Sequence, residues 1–184
     1  VTASGVTAST TGPGLGSNTG LELLATEVST MSPGAGQAGL LIHHGSPDAP
    51  AIDALVYSNG QALVEDAPYK AFTGLINVPA GDYPLNVIAA DSSAQVGFFQ
   101  ADVSAVDADT VIVFASGFAN PANANSYGNG FQLRAHIVDA SNKSVQASLN
   151  LPTLTEDTAS VQVIHNAADP GAASVDVYAK GGLL

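Results

Sequence analysis

The sequence contains no cysteine and no tryptophan, and only four of its 184 residues are basic: Lys70, Arg134, Lys143 and Lys180. Without cysteine there are no disulfides, no cysteine-bound iron–sulfur cluster and no thiol nucleophile. The shortage of Lys and Arg argues against nucleic acid as a partner, since phosphate binding needs clustered cations. With sixteen acidic residues the net charge is -12, which also disfavours anionic membrane surfaces. No apolar run reaches the roughly 18 residues of a membrane-spanning helix, so no membrane insertion is expected. The chain begins with Val rather than Met and shows no basic segment followed by an apolar one; it reads as an exported chain whose signal has been removed.

What is present is a repeat. Leu40–Tyr57 reads LLIHHGSPDAPAIDALVY, and Val161–Tyr178 reads VQVIHNAADPGAASVDVY. Each runs through an apolar strand, a His, a polar turn with Asp and Pro, and a second strand carrying an Asp. His43 corresponds to His165, Asp48 to Asp169 and Asp53 to Asp176. Repetition at this scale points to tandem β units, the second stopping after about two strands. Such a strand pair has little core of its own, so it is expected to lean on something outside the first unit.

The organisation follows in four parts. Residues 1–37 form an N-terminal arm rich in Ser, Thr and Gly, too poor in apolar residues to order itself without a partner. Within it, Leu21–Met31 is ambiguous. Thr19-Gly20-Leu21-Glu22 fits a helix capping box, but the Leu and Val content equally allows a strand. Residues 38–140 form the main domain. Apolar runs at Ala38–His44, Ala51–Ser58, Gln61–Glu65, Phe72–Val78, Tyr83–Ala90, Gln95–Val103, Thr110–Phe118 and Phe131–Val138 predict strands. Tyr83, Leu85, Val87 and Ala89 alternate as a half-buried strand should. Asn59-Gly60 signals a hairpin. Residues 141–159 are a linker or edge strand, and 160–184 the partial second repeat. Short strands at short intervals with no helical periodicity predict an all-β, antiparallel, immunoglobulin-like β-sandwich. The missing Cys pair and core Trp exclude the antibody type.

At Ile42-His43, Ser46-Pro47-Asp48-Ala49-Pro50, Ile52-Asp53 and Pro79-Ala80-Gly81-Asp82-Tyr83 the chain resembles domain of unknown function 4397. The departures are Ala54, where Val is usual, and Pro170-Gly171, which displaces the second copy's prolines. The resemblance implies an exported all-β module, often in tandem, in surface or cell-envelope proteins. It implies no activity.

His43, His44, Asp48 and Asp53 have the residue types of a metal site. Adjacent strand residues point to opposite faces, however, so His43 and His44 cannot share one site, and Asn166 replaces His44 in the second copy. All six recurring residues are therefore expected to be structural. The His should sit at a strand end, bonding the turn or Asp53; Asp48 and Asp169 should accept N–H groups in the turn; Asp53 and Asp176 should cap a neighbouring strand or pair with the His. Asp102, Asp107 and Asp109 lack the spacing of an EF-hand and read as a solvated turn. No G-x-S-x-G elbow or phosphate loop occurs, and no cofactor is expected. Asn142-Lys143-Ser144 is a glycosylation sequon.

The expected function is that of a non-enzymatic extracellular structural protein, a subunit of a surface filament, sheath or adhesin that self-associates by strand addition between subunits. Its expected contacts are Leu21, Leu23, Leu24 and Val28 in the arm, with Val161, Val163, Val175 and Val177 in the second repeat. The alternative is a secreted carbohydrate- or ligand-binding module using the Ala119–Gly130 loop.

Overall fold

The computed structural model describes residues 2–4, 20–27, 33–92, 94–124, 129–139 and 145–154. The chain divides into two units, Val1–Leu154 and Thr155–Leu184, and everything described belongs to the first. The second copy of the repeat, with its predicted partial domain, lies outside the described residues, as does Val28.

Among the described residues the fold is all-β apart from a 3-10 turn at Pro121–Ala124. The strands are β1 Thr2–Ser4, β2 Glu22–Leu24, β3 Gln37–His44, β4 Ile52–Val56, β5 Ala62–Ala67 and β6 Ile76–Pro79. They continue as β7 Asp82–Ala89, β8 Gln95–Asp102, β9 Thr110–Ser116, β10 Gln132–Val138 and β11 Val145–Asn150. One sheet has the order β11-β10-β9-β3-β6, another β5-β4-β7-β8, and β1 pairs with β2 in a separate ribbon. Neighbours are antiparallel except β3 and β9, which run parallel from Gly39 beside Thr110 to His44 beside Ala115.

Alternation builds the core. Ile52, Ala54 and Val56 on β4 are buried, as are Leu85, Val87 and Ala89 on β7 and Val111, Val113 and Ala115 on β9. The inward residues of both sheets join one apolar cluster around Phe99, giving a sandwich-like pair of layers. β3 departs from alternation, being buried from Ala38 to His44 on both faces. The cause is the segment before β6. Thr73 N–H donates to Ile42 O (2.8 Å), His44 N–H to Ala71 O (3.0 Å) and Lys70 N–H to His44 O (2.7 Å), extending β6 along all of β3. A Cβ at Gly39 would stand 3.1 Å from Leu75 Cδ1, so the glycine gives Leu75 room to lie against β3.

Three points that the sequence left open or drew only in outline are resolved by the structure. Within the ambiguous Leu21–Met31 segment, Glu22–Leu24 forms the strand β2, and Thr2–Ser4 of the arm pairs with it. The Asn59-Gly60 hairpin forms, but as a longer loop. Val56 N–H donates to Gln61 O (2.8 Å), Gly60 takes φ 69° and Asn59 Oδ1 accepts Gln61 N–H. The 145–150 stretch is the edge strand β11. Beyond it the chain crosses between layers. Leu151 N–H still donates to Leu133 O, whereas Gln100 N–H donates to Pro152 O and Leu154 N–H to Phe98 O. Residues 151–154 thus strap the edge of β8 to β10.

Phe99 is 2% exposed and is the largest fully buried side chain. Phe99→Ala should lower the unfolding free energy by about 3–5 kcal/mol, read from urea denaturation; a loss below about 1 kcal/mol would show that Phe99 does not anchor the shared core.

Candidate functional site

Two regions bring chemistry-bearing residues together. The first lies where β3 and β9 end. Being parallel, they deliver the Gly45–Pro50 turn and the loop after Ser116 to the same end of the sheet. Gly45 N–H donates to Ala115 O (2.8 Å), and a Cβ at Gly45 would meet that oxygen at 3.0 Å and His43 Nε2 at 3.3 Å.

Asp48 joins the two loops. Its Oδ1 accepts Ala119 N–H (2.7 Å), and its Oδ2 accepts Asn120 N–H (2.9 Å) and Asn123 Nδ2–H (2.8 Å). Ser46 Oγ–H donates to Oδ1 at 3.4 Å. The carboxylate therefore caps the loop leading into the 3-10 turn rather than closing only its own turn, as the sequence reading expected. Gly117, at φ 86°, lets the loop close, since a Cβ there would run into the Gly130 carbonyl. Tyr127 of this loop lies outside the described residues.

The two histidines have separate roles. His43 Nδ1–H donates to Ala71 O (3.0 Å), with its ring stacked on Phe72 (centroids 4.4 Å apart) and edge-on to Phe114. Its Nε2 is buried without a partner. His44 Nε2–H donates to Pro50 O (2.9 Å), and its Nδ1 accepts Ser46 N–H (3.4 Å). These bonds assign the neutral tautomers. Burial pushes both pKa values below 6.5, against a smaller upward pull from the carbonyls they bond; His43 lowers His44 further. Asp53 does not meet His43: its Oδ1 accepts Asp66 N–H (2.8 Å) and holds Asp66 at φ 50°. No group of three or more His, Cys, Asp or Glu among the described residues is placed to hold a metal. His165, Asp169, Asp176, Val161, Val163, Val175 and Val177 lie outside the described residues.

Sequence reasoning missed Lys70. Its Nζ pairs with Glu22 Oε2 (2.8 Å) and donates to Gly20 O (3.3 Å), tying the β1–β2 ribbon to the end of β3. The hint was its rarity in so acidic a chain. On that ribbon Leu21 is 60% and Leu23 75% exposed, while Leu24 is half-buried.

The second region is a cavity of about 420 Å³ between the sheets. Ala54, Ala115 and Ala135 face it from β4, β9 and β10, where larger side chains would fill the space. Ile42, Val87 and Leu133 complete much of the wall, and Gln100, Asp102 and Pro152 lie at the strapped side.

A family model described as a domain of unknown function (DUF4397) matches residues 38–178, a span that takes in both copies of the repeat. No curated protein matches the chain, and no solved structure does.

Two expectations follow. Asp48→Ala leaves the Ala119 and Asn120 N–H groups without their acceptor and should cost about 2–3 kcal/mol; unchanged stability on denaturant unfolding would show that the clamp is idle. The histidines set a pH dependence. Above about pH 6.5 both folded and unfolded states carry them neutral and stability is complete; below it the unfolded chain takes up protons that the native one resists. The melting temperature should therefore fall from about pH 7 to 5.5, less steeply in His43→Phe, and a flat profile in the native protein would contradict the assignment.

Proposed function

The chain belongs to the DUF4397 family, and from that premise we propose that it is a non-enzymatic, exported structural module, an immunoglobulin-like β-sandwich that self-associates at the cell surface. The observation carrying this reading is the β1–β2 ribbon. Leu21 and Leu23 project from it with most of their surface in water, and the ribbon pairs with no other described strand. Two three-residue strands are too little to be stable alone, and their open edges offer backbone groups for pairing. The bonds of Lys70 to Glu22 and to the Gly20 carbonyl are exposed polar contacts of the kind that exchange readily. Addition of the ribbon to a sheet edge of a neighbouring copy is a head-to-tail contact, which builds filaments rather than closed dimers. The surface charge favours this side-chain chemistry: with a net charge of -12, apolar and backbone contacts offset the repulsion between copies.

One further observation supports a non-catalytic role. Asp48, Asp53, His43 and His44 each spend hydrogen-bonding capacity on backbone groups of their own fold. A ligand-binding role is the second reading, and the inter-sheet cavity favours it. The cavity's apolar walls suit a hydrocarbon better than a glycan.

Sedimentation velocity of the full chain tests the assembly. Species larger than the monomer should grow with concentration, and Leu21→Ser with Leu23→Ser should return the protein to monomer. A chain that stays monomeric at high concentration overturns the reading.

A further inference from the structure

We infer that the inter-sheet cavity is a binding site for a single-chain amphiphile with a neutral or cationic head, its hydrocarbon tail lying between the sheets. This goes beyond self-assembly and rests on different residues.

Shape is the first argument. The lining runs from Leu63 on β5 across β4 and β7 to Gln100 and Asp102 on β8. That is three strand spacings, roughly 14 Å, the extended length of an alkyl chain of about twelve carbons. The facing layers of a sandwich stand only about 10 Å apart, so the space is a slot. It suits a chain and not a compact ring system. A cavity of about 150 Å³ already holds benzene; this one is about 420 Å³.

Chemistry is the second. The walls are Leu, Ile, Val and Ala from both sheets, and the polar groups gather on one side. Tyr83 contributes its ring, because its hydroxyl donates to Pro79 O (2.7 Å). Gln100 and Asp102 alternate with the inward Ala101 and Val103, as Asp82 does with Tyr83, so their side chains turn to the outer face of β7 and β8 at the rim of the slot; there Gln100 donates through Nε2 to Asp82 Oδ1. Pockets lined predominantly by apolar side chains are the usual form of a small-molecule site.

Charge selects the head group. Asp82 and Asp102 are exposed on the outer face at that rim, on strands that pair them directly, with Asp102 Oδ1 accepting from Ser104, and the surrounding protein is strongly acidic. A carboxylate or phosphate head is repelled there; an amine is attracted and a hydroxyl tolerated.

The test is displacement of the neutral fluorophore N-phenyl-1-naphthylamine from the full chain by dodecylamine, dodecanol and dodecanoate below their micelle concentrations. Saturable displacement is expected, with dodecylamine about tenfold tighter than dodecanoate at low salt, a gap that narrows as salt screens the rim. Ala135→Leu and Ala54→Leu, which grow into the slot, should each weaken binding at least about tenfold while the circular dichroism is retained. Should either variant fail to fold, the native protein's own length dependence decides: affinity should climb from octylamine to dodecylamine and stop climbing at hexadecylamine. The Leu21→Ser, Leu23→Ser chain should bind as the native one does, which separates the slot from the exposed leucines of the ribbon. No saturable displacement, full binding in the folded Leu variants, equal affinity for amine and carboxylate, or binding lost with the ribbon leucines would each overturn the proposal.

Discussion

The fold depends on one strand being covered on both faces. β3 gives Leu40 and Ile42 to the core between the sheets and Leu41 and His43 to the other side. Its backbone is bonded along β6 and the segment before it on one flank, and along β9 on the other. An exposed outer face would leave His43 in water and free the 68–75 segment. Covered, β3 becomes the rod around which both layers and both loop ends are arranged. The parallel pairing with β9 matters most, because it brings the Ser46–Pro50 turn and the 117–124 loop together, where a single carboxylate can join them.

Electrostatics follow from the same geometry. A chain with sixteen acidic residues and four basic ones gains little from surface ion pairs. Its useful charges are those that meet backbone donors: Asp48 on Ala119 and Asn120, Asp53 on Asp66, Asp107 on Gly36. Lys70 is the exception, and it is placed where the ribbon meets the body. The histidines resist protonation because burial removes water from the rings, which outweighs the opposite pull of the carbonyls that Nδ1 of His43 and Nε2 of His44 bond.

Much of this was legible in the residues, and the rest was not for definable reasons. Alternation at Leu85, Val87 and Ala89 announced β7, and the apolar run from Ala38 to His44 announced a strand, though not that both its faces would be buried. The opposed histidines could be argued from strand geometry alone. The partner of Asp48 could not, since Ala119 and Asn120 are 71 and 72 residues away and are contacted through backbone groups that leave no mark in a sequence. Nor could the cavity. It arises because Ala54, Ala115 and Ala135 from three different strands face one another, and each alanine alone is unremarked. The ribbon was ambiguous because three residues of strand, Glu22–Leu24, are too few to show a period.

The proposed assembly and the proposed ligand of the slot draw on the same features: a modest core of small residues, with apolar surface left at the ribbon and space left between the layers. Both rest on β3 being the most firmly held element. Native-state hydrogen exchange tests that directly. The amides of β3 and β9 should exchange only by global unfolding, with the Ala119 and Asn120 amides protected alongside them and those of β1 and β2 exchanging first. Rapid local exchange in β3 while β7 and β8 stay protected would contradict the account.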